Sequence, residues 1–237
     1  MLTSAHPLKK IFFCPEESNF YSYCLETLVL NHAGSKSIIE FGSGDGSPVI
    51  NSLLKTRFDG VVHGFEINAA AAEVARARIE EYDLSHQYII HNCSFFDSSK
   101  PQADYLISNP PYLPAIDNKI YQPYLHGGIE GITVTKQLLG LNYQNVLVMV
   151  SSYSNPVGLI NYAIANGYWV SNFITSPLAF GYYSSEPKVK SRILELKEEQ
   201  RAFYSKNIYL LAGVLFTKEP TSTVDLSSEL IRLITCL

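Results

Sequence analysis

The sequence predicts an α/β fold: a mostly parallel sheet with helices on both faces. Short runs rich in β-branched and aromatic residues alternate with segments of helical periodicity, and such alternation favours crossover connections between parallel strands. A glycine-dense loop, Gly42-Ser43-Gly44-Asp45-Gly46, follows the first such strand and leads into a helical pattern. The composition, 46% apolar and 17% charged over 237 residues, is that of a globular chain able to bury a substantial core.

A first helix is expected over residues 16–32, with Phe20, Tyr23, Cys24 and Leu28 at helical spacing and Pro15 suited to its start. Strands follow at 37–41, 61–65, 88–91, 105–108 and 145–150, separated by helices at 48–55, 69–82, 134–141 and 157–166. Two later strands, 169–175 and 208–217, flank a long connection. Its charged stretch 188–201 places Val189, Ile193 and Leu196 on one side, which suits either a surface helix covering the sheet or a lid. The final residues 226–237 read as a short amphipathic helix, docked on the domain or forming an oligomer contact. The domain reading is an N-terminal helical segment, 1–36, on a core of 37–237 with an insertion at about 177–206.

Several function classes lose weight at once. No apolar run approaches the roughly 18 residues of a membrane span, and residues 1–10 show no leader pattern. A soluble cytoplasmic protein without a membrane partner is the expectation. Cys14, Cys24, Cys93 and Cys236 are scattered with no CxxC pair, and the six histidines form no ligand-like cluster, so neither a metal nor a disulfide framework is expected. The net charge of −4 makes a nucleic-acid partner unlikely.

The glycine loop carries the first chemical signal. Gly42, Gly44 and Gly46 let the backbone turn tightly and approach a ligand. Glu40 precedes the loop, and Glu66 ends the next strand, where α/β nucleotide folds bind ribose hydroxyls. Spacing alone leaves dinucleotide and S-adenosylmethionine open. The local run Glu40-Phe41-Gly42-Ser43-Gly44-Asp45-Gly46 lacks the GxGxxG spacing of dinucleotide enzymes. It resembles the first motif of Rossmann-like methyltransferases dependent on S-adenosyl-L-methionine. The resemblance implies Glu40 near the cofactor's amino group, Gly42, Gly44 and Gly46 against its methionine portion, and Glu66, followed by Ile67, on its ribose. Counting back from Asn109, the adenine edge falls near Cys93 and Ser94.

The second signal is Asn109-Pro110-Pro111-Tyr112, after the fourth strand. Two prolines fix φ and remove two donors, and the asparagine adds an acceptor oxygen on a short stem. An -NH2 on an amide or aromatic ring is a poor nucleophile, because its lone pair is delocalised. Hydrogen bonds accepted by the Asn109 side chain and the Pro110 carbonyl would favour a pyramidal nitrogen, which stabilises the transition state more than the planar ground state. The Tyr112 ring could stack on the planar group near the sulfonium methyl.

In this position the motif resembles the amino-directed methyltransferases that act on adenine, cytosine or glutamine -NH2 groups. Tyr121-Gln122-Pro123-Tyr124-Leu125-His126-Gly127-Gly128-Ile129-Glu130-Gly131-Ile132 looks like the EPxxAL-GG-x-DGL segment of HemK-type protein N5-glutamine methyltransferases. Phe12-Phe13-Cys14-Pro15-Glu16-Glu17-Ser18 is similar to their leading segment. The resemblance covers roughly residues 12–150, without that family's N-terminal docking domain. It implies a seven-stranded Rossmann-like sheet with an antiparallel last strand, with S-adenosyl-L-homocysteine as product. The expected catalytic residues are Asn109, Pro110 and Tyr112, with Pro111, Ser18 and His126 toward the substrate. The acceptor is left open between a glutamine-type amide of a protein and a small molecule, the latter suggested by aromatic residues such as Tyr162, Tyr168, Tyr182 and Tyr183. A nucleic-acid amino group is opposed by the charge, and a cofactor-binding subunit without activity by the intact motif.

Overall fold

The computed structural model describes residues 11–12, 14–218 and 224–237; the readings placed on residues 1–10 and on Phe13 lie outside the described residues. Helix α1 (Pro15–Leu25) starts on a proline, whose missing N–H costs nothing in a first turn. It continues through a π-helical turn, Glu26–Leu30, into α2 (Asn31–Ala33). Then come β1 (Ser37–Phe41), α3 (Ser47–Leu53), β2 (Val61–Phe65), α4 (Ala69–Glu81), β3 (Tyr88–His91) and β4 (Tyr105–Ser108). The second half holds α5 (Thr133–Gly140), β5 (Asn145–Ser151), α6 (Pro156–Ala165), β6 (Trp169–Ala179), α7 (Pro187–Glu198), β7 (Tyr204–Ser205), β8 (Ile208–Thr217) and α8 (Ser227–Ile234).

The sheet runs β3-β2-β1-β4-β5-β8-β6. Strands β1 to β5 pair in parallel, and β8 lies antiparallel between β5 and β6. The expected count of seven strands is corrected to eight by the two-residue β7, which pairs with β8 as Tyr204↔Tyr209 and Ser205↔Ile208. Strand β6 runs on to Ala179, past the expected end at 175, and takes Pro177 into the ladder. A sheet edge tolerates a residue without an N–H, and β6 is the edge.

Alternation along each strand divides the interior in two. Ile38, Ile107, Leu147, Met149 and Leu211 face a core shared with Leu25, Val49, Ala72 and Val189 of α1, α3, α4 and α7. Ile39, Leu106, Val146, Val148, Val214 and Phe216 face a core with Leu138, Ile160, Leu230 and Ile234 of α5, α6 and α8. The terminal helix α8 therefore docks on its own domain. The residues read as either a covering helix or a lid separate into two parts. Helix α7 buries Val189, Ile193 and Leu196, whereas Leu178–Ser184 forms part of a cavity wall.

The chain leaves β1 toward β2 and β3 on one side and returns to β4 on the other. A crevice opens where strand order reverses, at the carboxyl ends of β1 and β4. Both chemical motifs lie there. Helix α1 packs across β8 at this end so closely that a Cβ on Gly213 would meet Cys24 Cβ at 2.8 Å. Gly213→Ala is expected to lower unfolding stability by about 1–3 kcal/mol through overpacking, measured by denaturant titration. Adding Cys24→Ala should recover part of that loss.

Candidate active site

The loop after β1 is held by the neighbouring strand: Gly42 N–H donates to the Phe65 carbonyl at 2.9 Å. Gly42 (φ 72) and Gly44 (φ 56) adopt left-handed backbone, and a Cβ on either would enter open space. Gly46 has a different task. It caps α3 at φ 75, and a Cβ there would meet Ala75 Cβ of α4 at 3.1 Å. It lies outside the cavity walls described below, at the contact between α3 and α4.

Three adjoining cavities of about 450, 280 and 200 Å³ occupy the crevice. Asn109 and Phe12 line all three. The 280 Å³ cavity is walled by Gly42, Gly44, Glu66, Ile67, Cys93 and Ser94, with Phe41, Phe95 and Phe96. The 200 Å³ cavity holds Glu40, Gly42, Gly44 and Ser18. The 450 Å³ cavity holds Pro110, Pro111 and Tyr112 against Tyr153, Phe180 and Tyr209. Thus most of the expected site residues share one crevice. His126 is absent from these walls; its Nε2 lies 2.9 Å from the Ala115 carbonyl. Tyr112 lies on the wall of the largest cavity rather than beside the glycine loop. Of the tyrosines singled out, Tyr182 and Tyr183 line that cavity, whereas Tyr168 is buried in the opposite core.

Each acid in the crevice has a defined environment. Glu66 accepts from Gly44 N–H at 2.8 Å through one oxygen and from Asn68 N–H at 2.7 Å through the other. A carboxylate oxygen so engaged keeps a lone pair for a ligand hydroxyl. Burial pushes its pKa up against these two bonds. Glu40 is buried, accepts from the hydroxyls of Tyr88 and Tyr21, and is pushed by burial up to about 7.

The acid that sequence reasoning gave no role is Glu17. Its carboxylate accepts from the Tyr112 hydroxyl and from the Tyr209 hydroxyl at 3.0 Å. Burial raises its pKa. The Oδ1 atom of Asn109 is buried and has no hydrogen-bond partner among the described residues. A buried acceptor left unpaired is costly and marks a place where a ligand donor belongs. The signal for Glu17 was its place in the segment Pro15-Glu16-Glu17-Ser18, but its partner Tyr209 lies 192 residues away in sequence.

The GG-x-EG segment is the scaffold under the motif. Gly127 N–H donates to the Leu113 carbonyl at 2.9 Å, and a Cβ on Gly127 would meet Tyr112 Cα at 2.7 Å. Ser154 Oγ donates to the Tyr112 carbonyl at 2.7 Å. Helix α7 grips the same segment, with Arg192 Nε donating to the Ile129 carbonyl at 3.0 Å and Arg201, just beyond it, paired with Glu130.

Comparison with known proteins agrees with this geometry. Residues 17–125 match the family described as methyltransferase small domain. The release factor glutamine methyltransferase of Thermosynechococcus vestitus is 27% identical over 113 residues, which is 43% of this chain and 38% of that protein. The ribosomal protein uL3 glutamine methyltransferase of Neisseria gonorrhoeae is 26% identical over 110 residues, 43% of this chain and 34% of that one. The match thus spans well under half the length of these relatives. Among solved structures, M. jannaschii TYW2 in complex with AdoMet has TM-score 0.53 at 13% identity, covering 89% of this chain and 80% of that one. The [4+2]-cyclase SpnF has TM-score 0.53 at 12% identity, covering 85% and 80%. Residues 17–125 thus resemble a methyltransferase domain, and the fold is Rossmann-like. The sequence is similar to the glutamine methyltransferases. The fold itself also serves a cyclase, so the reaction must be argued from the site. Among the described residues no metal-ligating cluster is found, and no helix is long and apolar enough to cross a membrane.

Glu40 gives the site a measurable pH signature. The folded protein keeps a proton on Glu40 that the unfolded chain releases from about pH 4.5, and loses it near pH 7. Stability from this group therefore falls as pH rises through that window, by about 3 kcal/mol in total. Glu40→Gln is expected to make the fall between pH 5 and 8 shallower in denaturant titrations; an unchanged slope would contradict the assignment.

Proposed function

We propose that the protein is an S-adenosylmethionine-dependent N-methyltransferase that methylates a planar -NH2 group. The single observation that carries this reading is Asn109: its partnerless buried Oδ1 belongs to a side chain lining all three cavities.

The residues present fit the cofactor. Gly42 and Gly44 open onto free space where Cβ atoms would intrude, and Glu66 has acceptor capacity for the ribose hydroxyls. Ile67, exposed at the wall with Cys93 and Ser94, offers an apolar face to the adenine. Glu40 faces the amino end, and an ammonium there would compensate a carboxylate that burial otherwise destabilises. When bound, the cofactor supplies an electrophilic methyl group on a sulfonium centre.

The acceptor then occupies the 450 Å³ cavity. One N–H of its -NH2 donates to Asn109 Oδ1 and the other to the Pro110 carbonyl. Both bonds draw the nitrogen out of conjugation and leave its lone pair free. The proline pair fixes these acceptors in place before substrate arrives, so no reorganisation is needed during transfer. No strong base is required, since the nitrogen becomes cationic on methylation and sheds its proton afterwards.

The acceptor named for the sequence relatives is a glutamine, and a glutamine-type amide of a protein is the first acceptor class proposed. A second reading rests on the cavity walls. Tyr153, Leu178–Ser184 and Tyr209 lie beyond the matched residues 17–125 and are rich in aromatic rings. Such walls suit a flat small-molecule amine. The charge balance gives a nucleic-acid acceptor no support.

Purified protein incubated in cell extract with S-adenosylmethionine carrying a labelled methyl group should label one fraction. Protein label supports the glutamine reading and small-molecule label the second. Asn109→Ala is expected to lose about 10²–10³-fold in transfer rate while binding S-adenosylmethionine within a few-fold of wild type. An equally active variant would remove Asn109 from the chemistry.

A further inference from the structure

The 450 Å³ cavity carries a charge pattern that methyl transfer itself does not use. Glu16 and Glu17 stand in its wall, and among the described residues no Lys, Arg or His does so. Aromatic rings make up much of the remainder. Tyr112, Tyr153, Phe180 and Tyr209 pack on one another with centroids between 4.8 and 6.0 Å apart.

Glu17 is placed among these rings as a fixed negative charge. It stands in the first turn of α1, and its two oxygens are held separately. Oε2 accepts from the Tyr112 hydroxyl and Oε1 from the Tyr209 hydroxyl at 3.0 Å. Each oxygen accepts one such bond and so keeps capacity for another. Two neutral hydroxyls orient the carboxylate without supplying an opposite charge, and a carboxylate removed from water is costly until one is supplied. A cation in the cavity would supply it. The same cation would be drawn to the ring faces, where the π-systems are negative. An anion there would meet two carboxylates and those faces, with no basic side chain to offset them.

We propose that the 450 Å³ cavity selects a flat small-molecule acceptor that carries a positive charge, with the Glu17 carboxylate as its counter-charge and the rings of Tyr112, Tyr153, Phe180 and Tyr209 as its walls. This rests on the N-methyltransferase reading above and narrows its small-molecule acceptor by charge. Asn109 lines the same cavity, so the methylated -NH2 and the cationic group belong to one compact molecule.

The test uses three probes of one shape: benzamidine, benzamide and benzoate, which at pH 7 are a cation, a neutral amide and an anion. The protein is first saturated with S-adenosyl-L-homocysteine, which fills the cofactor cavities and brings no sulfonium charge. Probe affinities are then measured by ligand-observed NMR titration. Benzamidine should bind about tenfold or more tighter than benzamide, with benzoate weakest. Glu17→Gln keeps the side-chain shape and removes the charge. It should bring the benzamidine and benzamide affinities within about threefold of each other while leaving benzamide binding near that of wild type. Equal affinities in wild type, no binding of benzamidine, or a preference that survives Glu17→Gln would overturn the proposal. In the extract assay the labelled product should be a small molecule retained by a cation exchanger at pH 7; an anionic product, or label in protein alone, would overturn it as well. Failure to bind S-adenosyl-L-homocysteine is a separate result and would overturn the transferase reading itself. If Glu17→Gln fails to fold, the wild-type order of the three probes and the charge of the product decide.

Discussion

A carboxylate held inside an aromatic wall costs free energy unless hydrogen-bond donors surround it, and the Glu17 carboxylate collects donors from two distant parts of the chain. Tyr112 comes from the loop after β4 and Tyr209 from β8. Removing either would leave a buried acceptor less compensated, so the start of α1, the Asn-Pro-Pro-Tyr loop and the antiparallel strand are tied to a common position. The crevice depends on that tie. Asn109 lines all three of its cavities, and α1, the Asn-Pro-Pro-Tyr loop and β8 all contribute to the 450 Å³ one.

Around this point the rigid parts are backbone. The two prolines remove freedom from the loop, and the glycines at 127 and 131 let another segment pass beneath it at distances no Cβ would permit. Helix α7 clamps that segment through Arg192, and Arg201 after it adds its pair with Glu130. The chain beyond residue 125 thus serves the site twice, bracing the motif and supplying most of the largest cavity's aromatic wall. Catalytic geometry and acceptor selection consequently come from different stretches of sequence, a division that lets one fold serve many acceptors.

Much of this was legible before any coordinates. Strands β1, β2, β3, β4 and β8 were read with their observed limits, because each is an apolar run bounded by turn residues. Strand β6 was read short since Pro177 looks like a break, and only its position at the sheet edge makes proline acceptable. Strand β7 is two residues long and carries no periodicity to detect. At the site, Glu40, Gly42, Gly44, Glu66 and Asn109 stood out because each lies beside a strand end in a short motif. The packing role of Gly46 was not legible, because a glycine needed for helix packing looks the same in sequence as one needed for ligand approach. Glu17 had no assigned role because its partners are brought to it only by the full sheet, Tyr209 from near the other end of the chain.

A crystal structure of the protein with S-adenosyl-L-homocysteine tests the central claim most directly. The account predicts the ligand across the 280 and 200 Å³ cavities, with its ribose on Glu66 and its amino group toward Glu40. The 450 Å³ cavity should stay free for an acceptor, with Asn109 Oδ1 open to it. A ligand seated instead between Tyr153 and Tyr209 would contradict it.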